Sequence, residues 1–337
     1  MTHPTLHTRF TERFKLTTPI ALAPMALASG GALAAACAQA GALGLVGGGY
    51  GDLAWTQREV TLANEWLKAD AAAYARLGVG FITWKLDEDA SALDWALTQH
   101  PCAVMLSFGD PRTYAARIAA SGAALICQVQ QLAQVPLALE AGAAVIVAQG
   151  GEAGGHGANA LEGRSTFTLV PEIADHLAAH SPDTLLLAAG GVADGRGLAA
   201  ALMLGADGAL VGSRLWATQE SLAATGAKTQ ATHTNGDGTA RSAVFDILRR
   251  KNWPAPYDFR AIRNDLHRQL ETNIAALQAN PDAARADYDA GVKAGDFTRA
   301  HATVGEAVGL IADVPSAGAL IARMSEQAVH ALGRHVL

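Results

Sequence analysis

The run AQGGEAGGHGANALEG (148–163) holds a single histidine, His156, among glycines, with apolar AAVIV before it and amphipathic TFTLVPEIADHLAAH after it. Imidazole, with an ordinary pKa of about 6.5, accepts a proton from an acidic carbon when neutral and hydrogen-bonds an anion when protonated. On its own, a loop histidine is more often a solvated or structural residue. Two further glycine-bearing loops, AAGGVADGRG with Gly190 and Gly191 and LVGSRL with Gly212 and Ser213, leave backbone N–H groups unobstructed. Such groups form an anion nest without a lysine, although glycines also simply make tight turns. Gln128 and Gln149 offer amide donors and acceptors to the edge of a heterocycle. Pro24 and Met25, in APMAL, make a rigid apolar ledge better suited to a planar ring than to a sugar. Glu152 is a second acidic candidate or a residue that pairs with a loop cation or caps a backbone group, and Tyr50 either closes over a substrate or packs a turn. Arg164 and Lys85 are candidate anchors for a substrate carboxylate, and the roles of His301 and Trp84 are left open.

These groups act together only if the fold brings them to one end. Eight apolar runs recur, each followed by a helical pattern: PIALAPM (19–25), LGLVGGG (43–49), VGFITW (79–84), AVMLSFG (103–109), ALICQV (124–129), AVIVAQG (144–150), LLLAAGG (185–191) and GALVGS (208–213). Runs without in/out alternation are what parallel strands covered on both faces look like. Eight such units predict an α/β fold, a TIM (β/α)8 barrel, whose active site lies at the C-terminal ends of the strands and whose last two loops commonly hold phosphate. A doubly wound open sheet is the alternative; it needs fewer strands and a switch point. After residue 213 the chain becomes more polar and helical, so 214–299 is expected as a small helical cap inserted before the last barrel helix, with 1–213 and 300–337 as the barrel.

Half of the 337 residues are apolar and the formal net charge is -6 without any Lys/Arg cluster. A large core is therefore expected, and a nucleic-acid partner is not, since phosphate binding relies on clustered cations. Cys37, Cys102 and Cys127 lie in apolar stretches without CxxC spacing, which suits reduced core thiols in a cytoplasmic protein. Arg9, Arg13 and Lys15 precede an uncharged stretch, 16–51, in the manner of a signal peptide. Pro19, Pro24, Gly30 and Gly31 break it, so a βαβ unit is the expectation and a membrane segment is not. The strand ends carry no carboxylate cluster and no His/Cys set with ligand spacing, so no metal is expected.

The segments APMA, SGGALAAA, AGALGLVGGGYGD, VMLSFGD, VAQGGEAGGHG, STFTLVPEI, LAAGGVADGRGLAAALMLGADGALVGSR and VGEAVGLI together resemble the nitronate monooxygenases, also called 2-nitropropane dioxygenases. The resemblance covers about 19–216 and returns near 301–312, and AQGGEAGGHG is its most specific element. Many bacterial members carry an arginine after the motif's histidine; Gly157 and Ala158 follow His156 here, which is more similar to the group with the fungal enzymes. The resemblance implies a barrel with non-covalent FMN that oxidises alkyl nitronates, and in some members neutral nitroalkanes, with dioxygen. It implies His156 as the catalytic residue. It also implies flavin contacts at Pro24, Met25, Gln149, Gly154, Gly191, Gly212 and Ser213, with Gln128, Gly155, Gly190 and Val211 as neighbours. Rival readings on the same barrel are a flavin-dependent NAD(P)H reductase, for quinones or enoyl-acyl-carrier protein, and a flavin-binding protein without turnover. Assembly is open between monomer and homodimer.

Overall fold

The computed structural model describes residues 6–333. Its strands are β1 (Ile20–Leu22), β2 (Gly44–Gly49), β3 (Leu77–Ile82), β4 (Ala103–Ser107), β5 (Ala124–Val129), β6 (Val145–Gln149), β7 (Gly155–Ala158), β8 (Leu185–Ala189), β9 (Gly208–Val211), β10 (Thr239–Ser242) and β11 (Tyr257–Ile262). Eight of them pair in parallel in the order β1-β9-β8-β6-β5-β4-β3-β2. A parallel bridge between Ala21 and Leu43 then brings the first strand back to the last. The sheet is therefore a nearly closed TIM barrel, and the open-sheet alternative has no switch point to stand on. The uncharged stretch after Lys15 becomes β1, the helix Gly31–Gln39 and β2, which is the expected βαβ unit.

Two apolar shells hold the barrel. Alternate strand residues such as Leu45, Met105, Ile126, Val147, Leu187 and Leu210 fill its interior, and Ile20, Leu22, Val46, Val104, Ile146, Leu186 and Val211 face the helices outside. This is why the strands read as unbroken apolar runs: a side chain on either face meets other side chains. The short helix Arg9–Phe14 closes the N-terminal end with Phe10 and Phe14, which belong to the inner shell. Arg9 fixes that helix by a two-pronged bond to Asp207, 2.8 Å at each nitrogen.

The segment after β9 carries the expected helices, including Val244–Leu248 and Asp282–Ala294, around an apolar cluster of Val244, Phe245, Leu248, Phe259, Leu266, Leu277 and Tyr288. It also holds two strands that apolar periodicity does not reveal. β10 and β11 form an antiparallel ribbon, and β11 pairs in turn with β7, the excursion that follows β6. The insertion is thus a mixed α/β cap stitched to the glycine loop. The chain then returns to the barrel with helix Ala317–Gly333, which packs on helices Gly195–Met203 and Gly31–Gln39. No described helix is long and apolar enough to cross a membrane.

The bottom plug gives a stability test. Phe10 is fully buried, so Phe10→Ala should lower unfolding free energy by about 3–5 kcal/mol in urea titration. A loss below about 1 kcal/mol would mean that the N-terminal helix is not part of the cooperative barrel.

Candidate active site

A cavity of about 780 Å³ opens at the C-terminal ends of the strands, with the cap as its far wall. Of the residues singled out in the sequence, Pro24, Met25, Gln128, Gln149, Gly154, Gly155, His156, Gly190, Gly191, Gly212 and Ser213 all line it. Val211 does not. Its side chain is fully buried in the outer shell, and Leu210, one residue earlier, faces the cavity. Strand alternation makes the difference, because neighbouring residues point to opposite faces.

The loops after β8 and β9 have the geometry of an anion cradle. Gly191 sits at φ 77 with nothing within 4 Å of the place a Cβ would take. Its N–H has no hydrogen-bond partner among the described residues. Ser213 Oγ accepts the Gly305 N–H at 2.8 Å, which leaves the hydroxyl proton free to donate.

Gln149 is more committed than its sequence suggests. Its carbonyl oxygen accepts from the Gln130 amide at 2.9 Å and the Gln128 amide at 3.2 Å, while its own amide donates to the His156 carbonyl at 3.0 Å. It therefore ties β5 and β6 to the glycine loop, with one N–H left over.

His156 lies on β7 directly across from Phe259 on β11, so the two rings share a face, 4.8 Å apart. Trp253 stacks on the imidazole with centroids 3.4 Å apart and planes 12° from parallel. Nε2 lies 3.0 Å from each carboxylate oxygen of Asp246. Burial pushes the imidazole down to about 4, against the opposing pull of Asp246 and with help from the Arg249 and Arg241 charges. At neutral pH the ring is uncharged.

The glycines around His156 serve the cap. Arg241 on β10 donates to the carbonyls of Gly155 (3.0 Å), Ala153 (2.6 Å), Gly151 (3.4 Å) and Asp258 (2.6 Å). A Cβ on Gly157 would stand 3.0 Å from the Arg241 guanidinium, so a side chain there would press on the clamp.

The unassigned polar residues sort by geometry. Glu152 accepts from the Thr166 N–H at 3.0 Å and the Thr166 hydroxyl at 2.8 Å, so it caps the helix Thr166–His180. Tyr50 takes the Trp253 indole N–H at 3.0 Å and lies beneath the Lys251 ammonium, 4.2 Å from its ring centroid. Lys85 pairs with Glu88 and Arg164 with Glu172, and neither lines the cavity. His301 lines it, bonded to the Tyr288 hydroxyl at 2.7 Å, and burial pushes its pKa down to about 3. Trp84 packs edge-on against Trp253 at 5.4 Å.

Arg249 and Trp253 are cavity groups that sequence reading missed, and Asp246, bonded to the histidine, was missed with them. They sit in the cap, in VFDILRR and NWPAPYDF, about ninety residues from the histidine that Asp246 and Trp253 touch. Their nearest signal is the aromatic and basic density of 245–259. Arg249 lies 3.7 Å from Asp246, and its Nη1 is buried without a hydrogen-bond partner among the described residues. No set of three or more His, Cys, Asp or Glu side chains that could hold a metal ion occurs among the described residues.

Comparison with known proteins decides the family. The nitronate monooxygenase family profile matches residues 59–327. A nitronate monooxygenase of Metarhizium robertsii is 34% identical, the match spanning 91% of this chain and 89% of that protein. The chain belongs to the nitronate monooxygenase family. It is accordingly an enzyme, an oxidoreductase of that family. Among solved structures, FabK from Thermotoga maritima superposes with a TM-score of 0.81 at 24% identity, covering 98% of each chain. Nitroalkane oxidase from Streptomyces ansochromogenes gives 0.79 at 24%, covering 96% of this chain and 99% of that one. These two likenesses establish the shared fold.

The depressed histidine has a consequence for stability. Between about pH 6.5 and pH 4 the unfolded chain takes up a proton at residue 156 that the folded chain refuses, so folding free energy falls as pH falls through this window. The loss should reach on the order of 3 kcal/mol by pH 4. Urea titrations across that window should give a shallower pH dependence for His156→Gln than for the unaltered chain. Identical slopes would mean that the folded histidine titrates normally.

Proposed function

We propose that this enzyme binds FMN in the cavity and oxidises alkyl nitronates, and neutral nitroalkanes after removal of their α-proton, with dioxygen to a carbonyl compound and nitrite. The observation that carries the reading is the pairing, in one cavity, of a side-chain-free anion cradle with a buried, neutral histidine. The open space over Gly191 and its unpartnered N–H fit a phosphate, with Gly190, Gly212 and Ser213 beside it. Pro24 and Met25 offer the apolar wall a planar ring needs, and the second amide face of Gln128 offers a hydrogen bond to its edge. Bound there, FMN would supply the two-electron chemistry, taking electrons from the substrate and passing them to dioxygen.

The chain's own residues do the rest. His156, uncharged at neutral pH, removes the α-proton from a neutral nitroalkane; the C–H electron pair moves into the nitro group and yields the nitronate. A substrate added as nitronate skips that step. Arg249 brings a cation to the cavity wall; its Nη1, 3.7 Å from the Asp246 carboxylate and without a hydrogen bond among the described residues, keeps a donor to offer an oxyanion. Trp253 and Phe259 cover the imidazole and keep water from its faces. The reaction requires a small-molecule substrate and dioxygen as partners, and the free thiols of Cys37, Cys102 and Cys127 suit a cytoplasmic enzyme.

Acid precipitation of the purified protein should release a yellow supernatant whose flavin is the mononucleotide, and ethyl nitronate should bleach the bound flavin anaerobically. Release of FAD, or bleaching by NADH and not by nitronate, would overturn the reading. Gly191→Asp places an anion and a side chain in the cradle and should abolish most flavin occupancy while far-UV circular dichroism is retained; unaltered occupancy removes this loop from the site. His156→Asn should cut nitroethane turnover by about 10² to 10⁴-fold and ethyl nitronate turnover far less, at equal flavin content. Equal losses on the two substrates would give His156 an orienting role in place of a basic one.

A further inference from the structure

The His156 ring has one proton to place and two nitrogens to choose from. Nε2 faces both oxygens of Asp246 at 3.0 Å, and a carboxylate accepts but does not donate. Nδ1 has no hydrogen-bond partner among the described residues, on a ring that lines the cavity. We propose that Asp246 is a positioning residue: it holds the His156 proton on Nε2, reserves the Nδ1 lone pair for the substrate proton, and balances the charge of the imidazolium that results. The inference rests on the proposed role of His156 as base.

The surroundings single out Asp246 for this work. Its side chain is 7% exposed and that of His156 8%, so water is a poor competitor for either. The other charged groups near the imidazole, Arg249 beside Asp246 and Arg241 on β10, oppose a positive ring, so only Asp246 favours it. Trp253 and Phe259 restrain the ring's faces and leave its edge to be set by hydrogen bonding. In the transfer itself the α-carbon–hydrogen bond breaks, its electron pair goes to the nitro group, and the proton forms a bond to Nδ1. Asp246 stays a carboxylate throughout. Because Asp246 and Trp253 both belong to the cap and His156 to the glycine loop, the base is complete only while the cap is seated.

Two measurements on the flavin-loaded protein test this. Nitrogen NMR of protein labelled at histidine should show residue 156, assigned by its absence from His156→Asn, protonated at Nε2, with Asp246→Asn shifting population toward the Nδ1-protonated form. Asp246→Asn should keep its flavin and its ethyl nitronate turnover within about threefold, while kcat/KM for freshly dissolved nitroethane falls about 100-fold. Asp246→Glu should recover part of that loss, which a purely structural contribution would not predict. An Nδ1 proton in the unaltered protein, equal losses on both substrates, or unchanged nitroethane turnover overturns the proposal. Wild type active on ethyl nitronate and not on nitroethane removes the proton step, and this role with it. Inactivity on both removes the proposed reaction itself, while the spectrum still decides the tautomer.

Discussion

Arg241 donates to four backbone carbonyls, three of them in the segment 151–155, and the arrangement of the cavity mouth depends on that clamp. A loop made largely of glycine has more conformational freedom to lose than any other, so a fixed position for it must come from outside the loop. The guanidinium supplies it from β10, and the β7–β11 ladder continues it. The cation gives up most of its hydration, and burial lowers its pKa to about 10, yet it stays charged because carbonyl oxygens satisfy it on several sides. Glycine at 157 lets the guanidinium approach the loop closely from that side.

The clamp also ties the insertion to the barrel's glycine loop. The eight parallel strands bring Pro24, Gln128, Gly191 and Gly212 to one end, and their inner and outer shells make that end rigid. The barrel holds the four-residue strand β7 by the Gln149 side chain, and its strand pairing among the described residues is with β11 of the insertion. With the ribbon in place, residue 156 faces residue 259 in a defined register, and a one-residue slip would turn the imidazole to the opposite face. Register decides whether the histidine meets Asp246 and the cavity or Arg241.

Much of this was legible in the sequence, for a physical reason. Strands covered on both faces write continuous apolar runs, so all eight barrel strands and the glycine pairs at their ends could be read from residue types alone. Side-chain direction was harder, and at β9 the cavity residue proved to be Leu210 in place of Val211, because a run apolar on both faces carries no alternation to phase it. β10 (TARS) and β11 (YDFRAI) are short and mix charge with apolar residues, so they gave no strand signal in a helix-rich stretch. Asp246 was invisible for a further reason: its importance comes from a contact across ninety positions of chain, made through a ribbon whose existence was itself unread.

Burial and pairing act on His156 in opposite directions, and their balance suits the base proposed for it, which must begin neutral. An exposed imidazole would be partly protonated near neutral pH and would present a filled lone pair only part of the time. Burial under Trp253 and Phe259 removes that charged population, at the cost of weakening the ring as a proton acceptor. Asp246 returns part of that basicity, because its attraction grows only once the ring becomes positive. A hydrophobic cover alone would leave the imidazole neutral and inert; a carboxylate alone, in open solvent, would leave it charged before substrate arrives. Having both come from the cap makes the neutral resting ring and its stabilised protonated form consequences of one packing event.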